Sequence, residues 1–480
     1  MNKLLVIGID ALDAVQVERY IDYLPNIARL KREGFYRQIE SVWPPDSETA
    51  WATIYTGWNP AQHGIFQFVD PLEKTSKYIS RERDNSILRG HTFWDAASRE
   101  GQKVIVLFPH IGFPSWEVNG IMVTKASLNR EISVFPEHIK KKYAFEGLNE
   151  VKGLAGRDPQ AYLDAVREQV YRQLELNLQM LQGEEWNLFF TYWSALDLIQ
   201  HQFWAYCDPR DPTHPGDTPY KNVIRDFYVL HDEVLGKLIA SAGDDVDIIV
   251  LSDHGQGMRP VKIFNINRVL RENGLLFLKE KSGSKKVKAF RGIKNLAVQG
   301  ISRLRLGNLA SKTLRKLPFL KKVFVSSVNL DLERTIAYIT DMSGIKAYSY
   351  GGIQIRKENL NGKSYEAVRN QVISLLEAAT DPSMGNARLV KWIKPREALY
   401  QGKYLNEYPD LVFELNPEYG AGWDADGPLF DVSHSHNLYP GSHLGSNAVV
   451  MLSGPSFGGT ASCPRSLMEI TSLVAEIFRF

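Results

Sequence analysis

Two pairs of residues in the sequence could each hold a metal ion. Asp197 and His201 lie four positions apart, so one turn of helix would bring both side chains to the same face. Asp253 and His254 are adjacent, follow an apolar run and precede a glycine. Carboxylate oxygen and imidazole nitrogen are common ligands of hard and borderline divalent metals. With two further residues of these types, the candidate ligands are Asp10, Asp197, His201, Asp253, His254 and His443.

Short apolar runs come before several of these residues and would position them. Runs of this kind suit strands that are buried on both faces, as in a parallel sheet. Three of the runs stop close to a candidate ligand, namely Asp10, Asp197 or Asp253. The predicted strands are Leu4–Ile9, Lys103–Phe108, Asn187–Trp193, Val246–Leu251 and Ala448–Leu452.

Helical patterns lie between these strands and after them. Asp158 stands where the first of these helices would have its N-cap. Strands that alternate with helices predict an α/β fold with a doubly wound, mostly parallel sheet. Ligands of such sheets bind beyond the carboxyl ends of the strands, where the three aspartates fall. The predicted helices are Pro159–Gln182, Thr218–Ala242, Tyr365–Ala379 and Leu467–Phe480.

The size and composition of the chain can support more than one domain, since it has 480 residues of which 44% are hydrophobic. We expect a catalytic core over residues 1–260 and 430–480. A smaller inserted cap region over residues 261–429 would also contribute some core strands. Residues 279–322 form a basic segment rich in lysine and arginine. This segment either steers an anionic substrate or contacts anionic lipid, or it is a solvated part of the cap.

The charge and the cysteine content exclude several classes of protein. The net charge of +2 gives no general attraction to nucleic acid or membrane, so no specific nucleic-acid binding is expected. No window approaches ~20 uninterrupted apolar residues, so no transmembrane segment is expected. The N-terminal apolar run is short and ends at Asp10, which suits a first strand better than a signal peptide. Cys207 and Cys463 are too few for a disulfide framework. We expect a soluble, cytoplasmic protein, and homo-oligomerisation stays open.

Several motifs of the chain resemble the alkaline phosphatase superfamily, in particular its type I phosphodiesterase/nucleotide pyrophosphatase branch. The resemblance is strongest to bacterial and archaeal members regarded as phosphohydrolases or phosphomutases. It covers most of the chain, and the motifs stand in the family's order. It implies an alkaline phosphatase-like fold and phosphoryl chemistry at two divalent metal ions. The matching segments are Val6–Leu12, Pro44–Trp51, Thr56-Gly57, Asn59–Ile65, Thr92–Trp94, Asp197 with His201, Ser252–Gly255, Tyr408–Leu411 and Gly441–His443.

The resemblance also implies how the ligands are divided between the two ions. Zinc fits ligands of nitrogen and oxygen, while manganese, iron and magnesium stay open. His434 and His436 are neighbouring alternatives to His443. His443 is favoured because the apolar run Ala448–Leu452 follows it, as in the family. The implied sets are Asp10, Asp253 and His254 with the nucleophile's oxygen for one ion, and Asp197, His201 and His443 for the other.

A nucleophile is expected shortly before the Thr56-Gly57 motif. The family spacing places it at Ser47, which would also be a metal ligand, with Thr49 as the alternative. Coordination to a dication would supply the alkoxide that a plain serine lacks at neutral pH. A turn that caps a helix beginning near Ala50 is the other interpretation of Ser47. The two interpretations are compatible, because a helix N-terminus also favours an anionic phosphoryl group.

These matches predict hydrolysis of a small-molecule phosphate ester, by a phosphodiesterase or phosphatase, through a phosphoseryl intermediate. Two alternatives stay open: a phosphomutase or phosphotransferase of the same superfamily, and a non-catalytic, metal-bound binding module. The chain departs from nucleotide pyrophosphatases at Phe68, where they have an asparagine that holds a phosphate oxygen. Gln67 and Asn59 are candidates to replace that asparagine. Monoester and diester substrates both stay open.

Overall fold

A computed structural model of the chain describes residues 2–66, 68, 87–126, 131–149, 151, 155, 158–279, 330–341, 347–433, 436–457 and 463–479. The chain forms two compact units. The first contains residues 1–66, 78–257 and 443–480, and the second contains residues 67–77 and 258–442. The candidate ligands and Ser47 all belong to the first unit. The division expected from the sequence stays a prediction, and its basic segment lies outside the described residues apart from Lys279.

The strands of the described residues are short. In chain order they are β1 (Leu4–Ile9), β2 (Phe35–Ile39), β3 (Val104–Leu107), β4 (Gly120–Lys125), β5 (Ile132–Phe135), β6 (Leu188–Trp193), β7 (Asp247–Leu251), β8 (Gly255–Met258), β9 (Lys262–Asn265), β10 (Ala337–Ile339), β11 (Tyr350–Ile355), β12 (Thr380–Asp381), β13 (Ala387–Arg388), β14 (Val390–Pro395), β15 (Leu411–Leu415), β16 (Tyr419–Gly422), β17 (Phe430–Val432), β18 (Gly441–Leu444) and β19 (Ala448–Ser453).

The α-helices of the described residues vary in length from one turn to seven. They are α1 (Ala14–Tyr20), α2 (Pro25–Glu33), α3 (Ser47–Thr56), α4 (Pro60–His63), α5 (Phe93–Arg99), α6 (Pro159–Gly183), α7 (Ala195–Cys207), α8 (Val223–Ala242), α9 (Ile266–Glu272), α10 (Tyr365–Glu377) and α11 (Ile470–Phe478).

The first unit is built on an eight-stranded sheet in the order β2-β19-β7-β1-β6-β3-β4-β5. The five strands from β7 to β4 pair in parallel. Strands β5 and β19 run antiparallel to their neighbours at the two sides. Every residue of β1, β6 and β7 is buried, which explains their continuous apolar sequences. The predicted α/β fold with a large, mostly parallel sheet is confirmed.

Most predicted elements agree closely with the structure. The five predicted strands are present, with ends within one residue of those expected. Asp158 caps α6 by accepting the Ala161 N–H at 2.9 Å, as predicted. The helix predicted from Thr218 is wrong at its start, because α8 begins at Val223. The Thr218 hydroxyl instead accepts the Tyr220 N–H in a turn that precedes the helix.

The second unit contains a four-stranded antiparallel sheet in the order β10-β11-β15-β14. Helix α10 contributes Val368, Val372 and Leu376 to the same apolar core. A three-stranded sheet places β9 between β16 and β17. The unit therefore has a hydrophobic core of its own. None of the helices described in either unit has the length and apolar character needed to cross a membrane.

Candidate metal centre

The parallel strands bring the three aspartates to one edge of the sheet. Strand β1 lies between β6 and β7, and its last residues pair with Trp193 and Leu251 at the ends of those strands. Asp10 follows β1 directly, and its N–H donates to the Trp193 carbonyl at 2.9 Å. Asp253 follows β7 by one intervening residue, while Asp197 lies in the first turn of α7 just after β6. The expected position beyond the carboxyl ends of the strands is confirmed.

The first group of ligand types gathers around His254. Its Nε2 lies 3.2 Å from Asp253 Oδ2 and 3.6 Å from Asp10 Oδ1. The hydroxyl of Ser47 lies 3.2 Å from the same nitrogen. All four side chains are buried. The structure thus brings together the three residues and the hydroxyl of Ser47 that the resemblance implies for one ion.

The second group gathers around His201 Nε2. This atom lies 3.2 Å from Asp197 Oδ1, across one turn of α7, and 2.8 Å from His443 Nε2. His443 Nε2 lies 3.6 Å from Asp197 Oδ1. The rings of His443 and His254 stack with centroids 4.0 Å apart, so the two groups adjoin. His254 is in reach of both, because its donor atom also groups with those of Asp197 and His443 within 4.8 Å.

Three carboxylate oxygens in these groups have no hydrogen-bond partner among the described residues. They are Asp10 Oδ1, Asp197 Oδ1 and Asp253 Oδ2, the atoms that face the histidine nitrogens. Within ion-pair distance, the described partners of the three carboxylates are all histidines. A buried carboxylate oxygen without a partner is costly unless a cation or donor is supplied. The donor set therefore fits divalent cations.

The electrostatics of the centre lead to the same conclusion. Burial raises the pKa of Asp10 well above its usual value, and the charges of Asp253 and Asp197 raise it further. Burial also raises the pKa of Asp253 well above its usual value, and Asp197 adds to this although the Ala11 N–H acts in the opposite direction. Bound dications would offset the repulsion among these carboxylates.

The family comparison agrees with this geometry. Residues 4–422 match the family model described as type I phosphodiesterase/nucleotide pyrophosphatase. The chain belongs to this family. Membership supports phosphoester hydrolysis of the phosphodiesterase/pyrophosphatase type. Among curated proteins, no sequence matches the chain.

Two solved proteins share the fold of this family member. Phosphonoacetate hydrolase from Sinorhizobium meliloti 1021, in complex with phosphonoformate, is 16% identical with a TM-score of 0.56; the match covers 99% of this chain and 96% of that one. Murine ectonucleotide pyrophosphatase/phosphodiesterase 5 is 13% identical with a TM-score of 0.51, covering 100% of this chain and 95% of that one. An inactive threonine-to-alanine variant of the murine protein, in complex with AMP, matches at 14% identity and TM-score 0.51, with the same coverage. These structures confirm the alkaline phosphatase-like fold.

Asp10, which lies in the first of the matching segments, accepts two hydrogen bonds at one of its oxygens. Asp10 Oδ2 accepts from the Tyr192 hydroxyl at 2.6 Å and from the Trp51 indole at 3.1 Å. A Cβ at Gly8 would lie 2.5 Å from the Trp51 ring, so the glycine makes room for this indole. The two donors occupy Oδ2 and leave Oδ1 facing His254. His110 Nδ1 lies 2.8 Å from the Tyr192 hydroxyl and extends the network.

The backbone beside Asp10 is held in an unusual conformation. Ala11 has φ +57°, a left-handed conformation that a non-glycine residue rarely adopts. Its N–H donates to Asp253 Oδ1 at 3.2 Å, and its carbonyl accepts from the Gln200 amide at 2.9 Å. Gly255, which follows His254, does not adopt a left-handed conformation. A Cβ there would instead lie 2.3 Å from the Ser446 carbonyl oxygen, so close packing requires the glycine.

Ser47 lies at the start of a helix and faces His254. Helix α3 begins at Ser47 itself, three residues earlier than expected, and Asp46 is its N-cap through the Thr49 N–H at 3.1 Å. The interpretation of Ser47 as part of a capping turn is therefore wrong. Thr49 is fully buried, and its hydroxyl has no hydrogen-bond partner among the described residues. Of the two candidates, Ser47 is the one whose hydroxyl lies against His254 Nε2.

His436, one of the neighbouring alternatives to His443, contacts a backbone carbonyl of the second unit. Its Nδ1 lies 2.9 Å from the carbonyl oxygen of Arg259 in the second unit, while His443 lies against His201 and Asp197. His434 lies outside the described residues. The sequence could not separate these histidines without the family pattern, because all three have similar local surroundings.

Two residues of the matching segment Asn59–Ile65 form hydrogen bonds that stabilise the fold. His63 Nδ1 accepts the Ile65 N–H at 3.0 Å, so its Nε2 carries the proton and donates to Thr53 Oγ1 at 3.0 Å. Asn59 caps α4 through the Ala61 N–H at 2.9 Å.

Phe68, where the chain departs from nucleotide pyrophosphatases, packs in the second unit, with its ring centroid 5.4 Å from that of Tyr408. Gln67 lies outside the described residues.

Some residues that contact the candidate ligands were not identified from the sequence. Trp51 binds Asp10, and Gln256 places its amide nitrogen 3.3 Å from His201 Nδ1. Tyr192, the next-to-last residue of β6, donates its hydroxyl to Asp10. Trp51 was visible as part of a matched motif. Gln256 follows the matched motif Ser252–Gly255, but a glutamine alone carried no chemical signal.

Proposed function

We propose that the chain is a metal-dependent hydrolase of phosphate esters in which Ser47 is the nucleophile. The observation that carries this proposal is the position of the Ser47 hydroxyl, 3.2 Å from His254 Nε2 in a buried group of acidic residues. Three carboxylate oxygens without partners among the described residues face the same group. Family membership supports phosphoester hydrolysis independently of this geometry.

The residues that would hold the two ions are those of the groups around His254 and His201. When bound, two divalent ions would lower the pKa of the serine hydroxyl and offset negative charge on the phosphoryl oxygens. Zinc suits the mixture of imidazole and carboxylate, and manganese, iron or magnesium would suit the set with two carboxylates. The sets are Asp10, Asp253, His254 and Ser47 for one ion, and Asp197, His201 and His443 for the other.

The chain's own residues account for the rest of the reaction. Ser47 Oγ bonds to phosphorus as the ester oxygen leaves, which produces a phosphoserine and the free alcohol. Water then attacks phosphorus, releases inorganic phosphate or a monoester, and restores the serine hydroxyl. Ser47 is the first residue of α3, so the helix N-terminus favours the anionic phosphoryl group.

The substrate we propose is a small phosphate ester, and a cytoplasmic location stays a prediction. The structural relatives are named for nucleotide phosphodiester and phosphonate substrates. Both substrate classes contain phosphorus with anionic oxygens, so both belong in a substrate screen. The inactive murine variant replaces a hydroxyl-bearing residue by alanine, which is the kind of change that we propose at Ser47.

The experiment compares wild type, Ser47→Ala and Thr49→Ala. Each protein is stripped with a chelator, supplied with zinc, manganese, iron or magnesium, and tested on p-nitrophenyl phosphate and bis-p-nitrophenyl phosphate. Ser47→Ala is expected to lose turnover of both esters by a factor on the order of 10³ or more. It should still bind most of the metal, because six other ligands remain. Rapid quenching with ³²P-labelled substrate should give a labelled peptide that contains Ser47 in the wild type.

Other results would contradict the proposal in distinct ways. Full activity in Ser47→Ala with loss in Thr49→Ala would move the nucleophile to Thr49. Fewer than two metal ions per chain in the active wild type would contradict the two-ion centre. A phosphoenzyme that water does not hydrolyse would contradict hydrolysis and favour transfer of the phosphoryl group back to a substrate.

A further inference from the structure

The three histidines of the centre share one arrangement except at a single contact. Each turns its Nε2 toward the carboxylates. His254 Nδ1 lies 3.0 Å from the Gly255 carbonyl oxygen, and His443 Nδ1 lies 3.1 Å from the Pro45 carbonyl oxygen. A carbonyl accepts only, so in both residues Nδ1 carries the proton and Nε2 presents a lone pair. Both rings are therefore in the tautomer that binds a metal through Nε2.

His201 has a side-chain amide where the other two histidines have a carbonyl. Its Nδ1 lies 3.3 Å from the Nε2 of Gln256. An amide nitrogen donates only, so in this orientation Nδ1 must accept and the ring proton must sit on His201 Nε2. That nitrogen faces Asp197 and His443, and a protonated nitrogen cannot bind a metal ion.

The amide of Gln256 has a second orientation that removes this conflict. Its Oε1 is buried and has no hydrogen-bond partner among the described residues. A half-turn of the amide exchanges the two atoms and places Oε1 against His201 Nδ1. The backbone of Gln256 would not need to move, since its N–H is held by Asp13 Oδ2 at 3.1 Å. In this orientation His201 donates from Nδ1, as His254 and His443 do.

We propose that Gln256 is a positioning residue that fixes the tautomer of His201. Its side-chain oxygen accepts the Nδ1–H of His201, so that Nε2 is free of a proton and available to a metal ion. Metal-binding histidines generally donate their other N–H to such an acceptor. The proposal rests on the proposed function in one respect, because it takes His201 to be a metal ligand.

The test uses matched variants of the full chain. Gln256→Met has a similar length and only a weakly accepting sulfur, whereas Gln256→Glu keeps a strong acceptor at the same position. Gln169→Met is the control, because Gln169 is also a buried glutamine whose Oε1 lacks a partner among the described residues, and it lies on α6 against Gln173. Each chelator-stripped protein is titrated with zinc against a chromophoric chelator.

The expected result is a change in one of the two zinc constants. Gln256→Met should weaken one constant by about 10- to 100-fold, while Gln256→Glu and Gln169→Met remain near wild type. A wild-type constant in a folded Gln256→Met protein would overturn the proposal. If wild type itself bound fewer than two ions, the proposed metal centre would fail instead, so the two failures are distinguishable.

A spectroscopic measurement on wild type does not depend on the folding of any variant. Long-range ¹H–¹⁵N correlation spectra of ¹⁵N-histidine protein loaded with zinc report which ring nitrogen of His201 carries the proton. The proposal requires the proton on Nδ1 and zinc on Nε2. A proton on Nε2 of His201 in the loaded protein would overturn it.

Discussion

Buried aspartates occur in both units, and their surroundings differ. In the first unit, Asp10 and Asp253 each have one oxygen without a hydrogen-bond partner among the described residues. In the second unit, Asp410 is equally buried, but one of its oxygens accepts the Ile355 N–H at 2.6 Å and the other accepts the Tyr365 hydroxyl at 2.7 Å. Asp410 belongs to the matched motif Tyr408–Leu411, and these hydrogen bonds give it a structural role in the second unit. Buried carboxylates that stabilise a fold are satisfied, so an unsatisfied pair indicates a site.

The unsatisfied aspartates of the first unit make the stability of the metal-free protein depend on pH. Burial raises the pKa values of Asp10 and Asp253 well above their usual range. A carboxyl group whose pKa is higher in the folded than in the unfolded state stabilises the fold only while it is protonated. The metal-free protein therefore loses stability as the pH rises through these raised pKa values. Metal binding should offset that loss of stability.

The largest contrast should come from replacing one acid in each unit. Asp253→Asn replaces a buried carboxyl group, whose pKa is raised by burial, with an amide that never ionises. The new amide nitrogen could donate to His254 Nε2, which lies 3.2 Å from Asp253 Oδ2. We expect this change to stabilise the metal-free protein by about 1–3 kcal/mol at pH 7. Activity with metal supplied should fall by a factor on the order of 10³. Chemical denaturation of the stripped protein and ester hydrolysis measure the two effects.

Asp410→Asn is the matched control for this comparison. Its amide nitrogen would replace an oxygen that accepts from Ile355 or Tyr365, so a donor would face a donor. The free energy of unfolding should fall by about 2–4 kcal/mol. If both substitutions changed stability in the same direction, the distinction between satisfied and unsatisfied acids would be wrong.

A smaller effect is expected from the tyrosines that bind these acids. Tyr192→Phe removes the hydroxyl that donates to Asp10 Oδ2 at 2.6 Å, and Trp51 remains as a second donor. We expect one zinc constant to weaken about tenfold, because Asp10 is less firmly oriented. Tyr365→Phe removes the equivalent donor to Asp410, and should lower the free energy of unfolding by about 1–2 kcal/mol without changing zinc binding. If Tyr365→Phe weakened zinc binding and Tyr192→Phe did not, the assignment of the zinc-binding acids to the first unit would be wrong.

The strands that precede the candidate ligands could be predicted from the local sequence pattern alone. The apolar run Leu4–Ile9 defines β1 to the residue, since a strand buried on both faces must be apolar throughout. The start of α8 was harder to predict from the sequence. The hydroxyl of Thr218 accepts the Tyr220 N–H in a turn, and this hydrogen bond competes with those of a helix.

The candidate site shows the same limit between local and distant contacts. Asp197 and His201 could be paired by helical spacing alone. Tyr192 and Asp10 are separated by 182 residues, and only the parallel pairing of β6 with β1 brings them together. Gln256 and His201 are likewise separated by 55 residues. Residues that hold a ligand from another strand are therefore set by the strand order, which single-residue patterns do not specify.

The smallest expected effect concerns two alanines in left-handed conformations, one in each unit. Ala11 has φ +57° and Ala347 has φ +39°. Glycine at either position relieves about 1 kcal/mol of strain and loses roughly 0.5–1 kcal/mol through backbone entropy. Ala11→Gly and Ala347→Gly should therefore each change the free energy of unfolding by less than about 1 kcal/mol.

Zinc affinity should nevertheless separate the two alanines. The Ala11 peptide binds both Asp253 and Gln200, so its conformation helps to place an acid of the centre. Extra backbone freedom there costs about 1 kcal/mol on ordering, or roughly fivefold in zinc affinity. Ala347→Gly should leave the zinc constants unchanged, and the titration used for Gln256 measures both. Tighter zinc binding by Ala11→Gly would show that the strain opposes the site, since relief of strain would then outweigh the lost order.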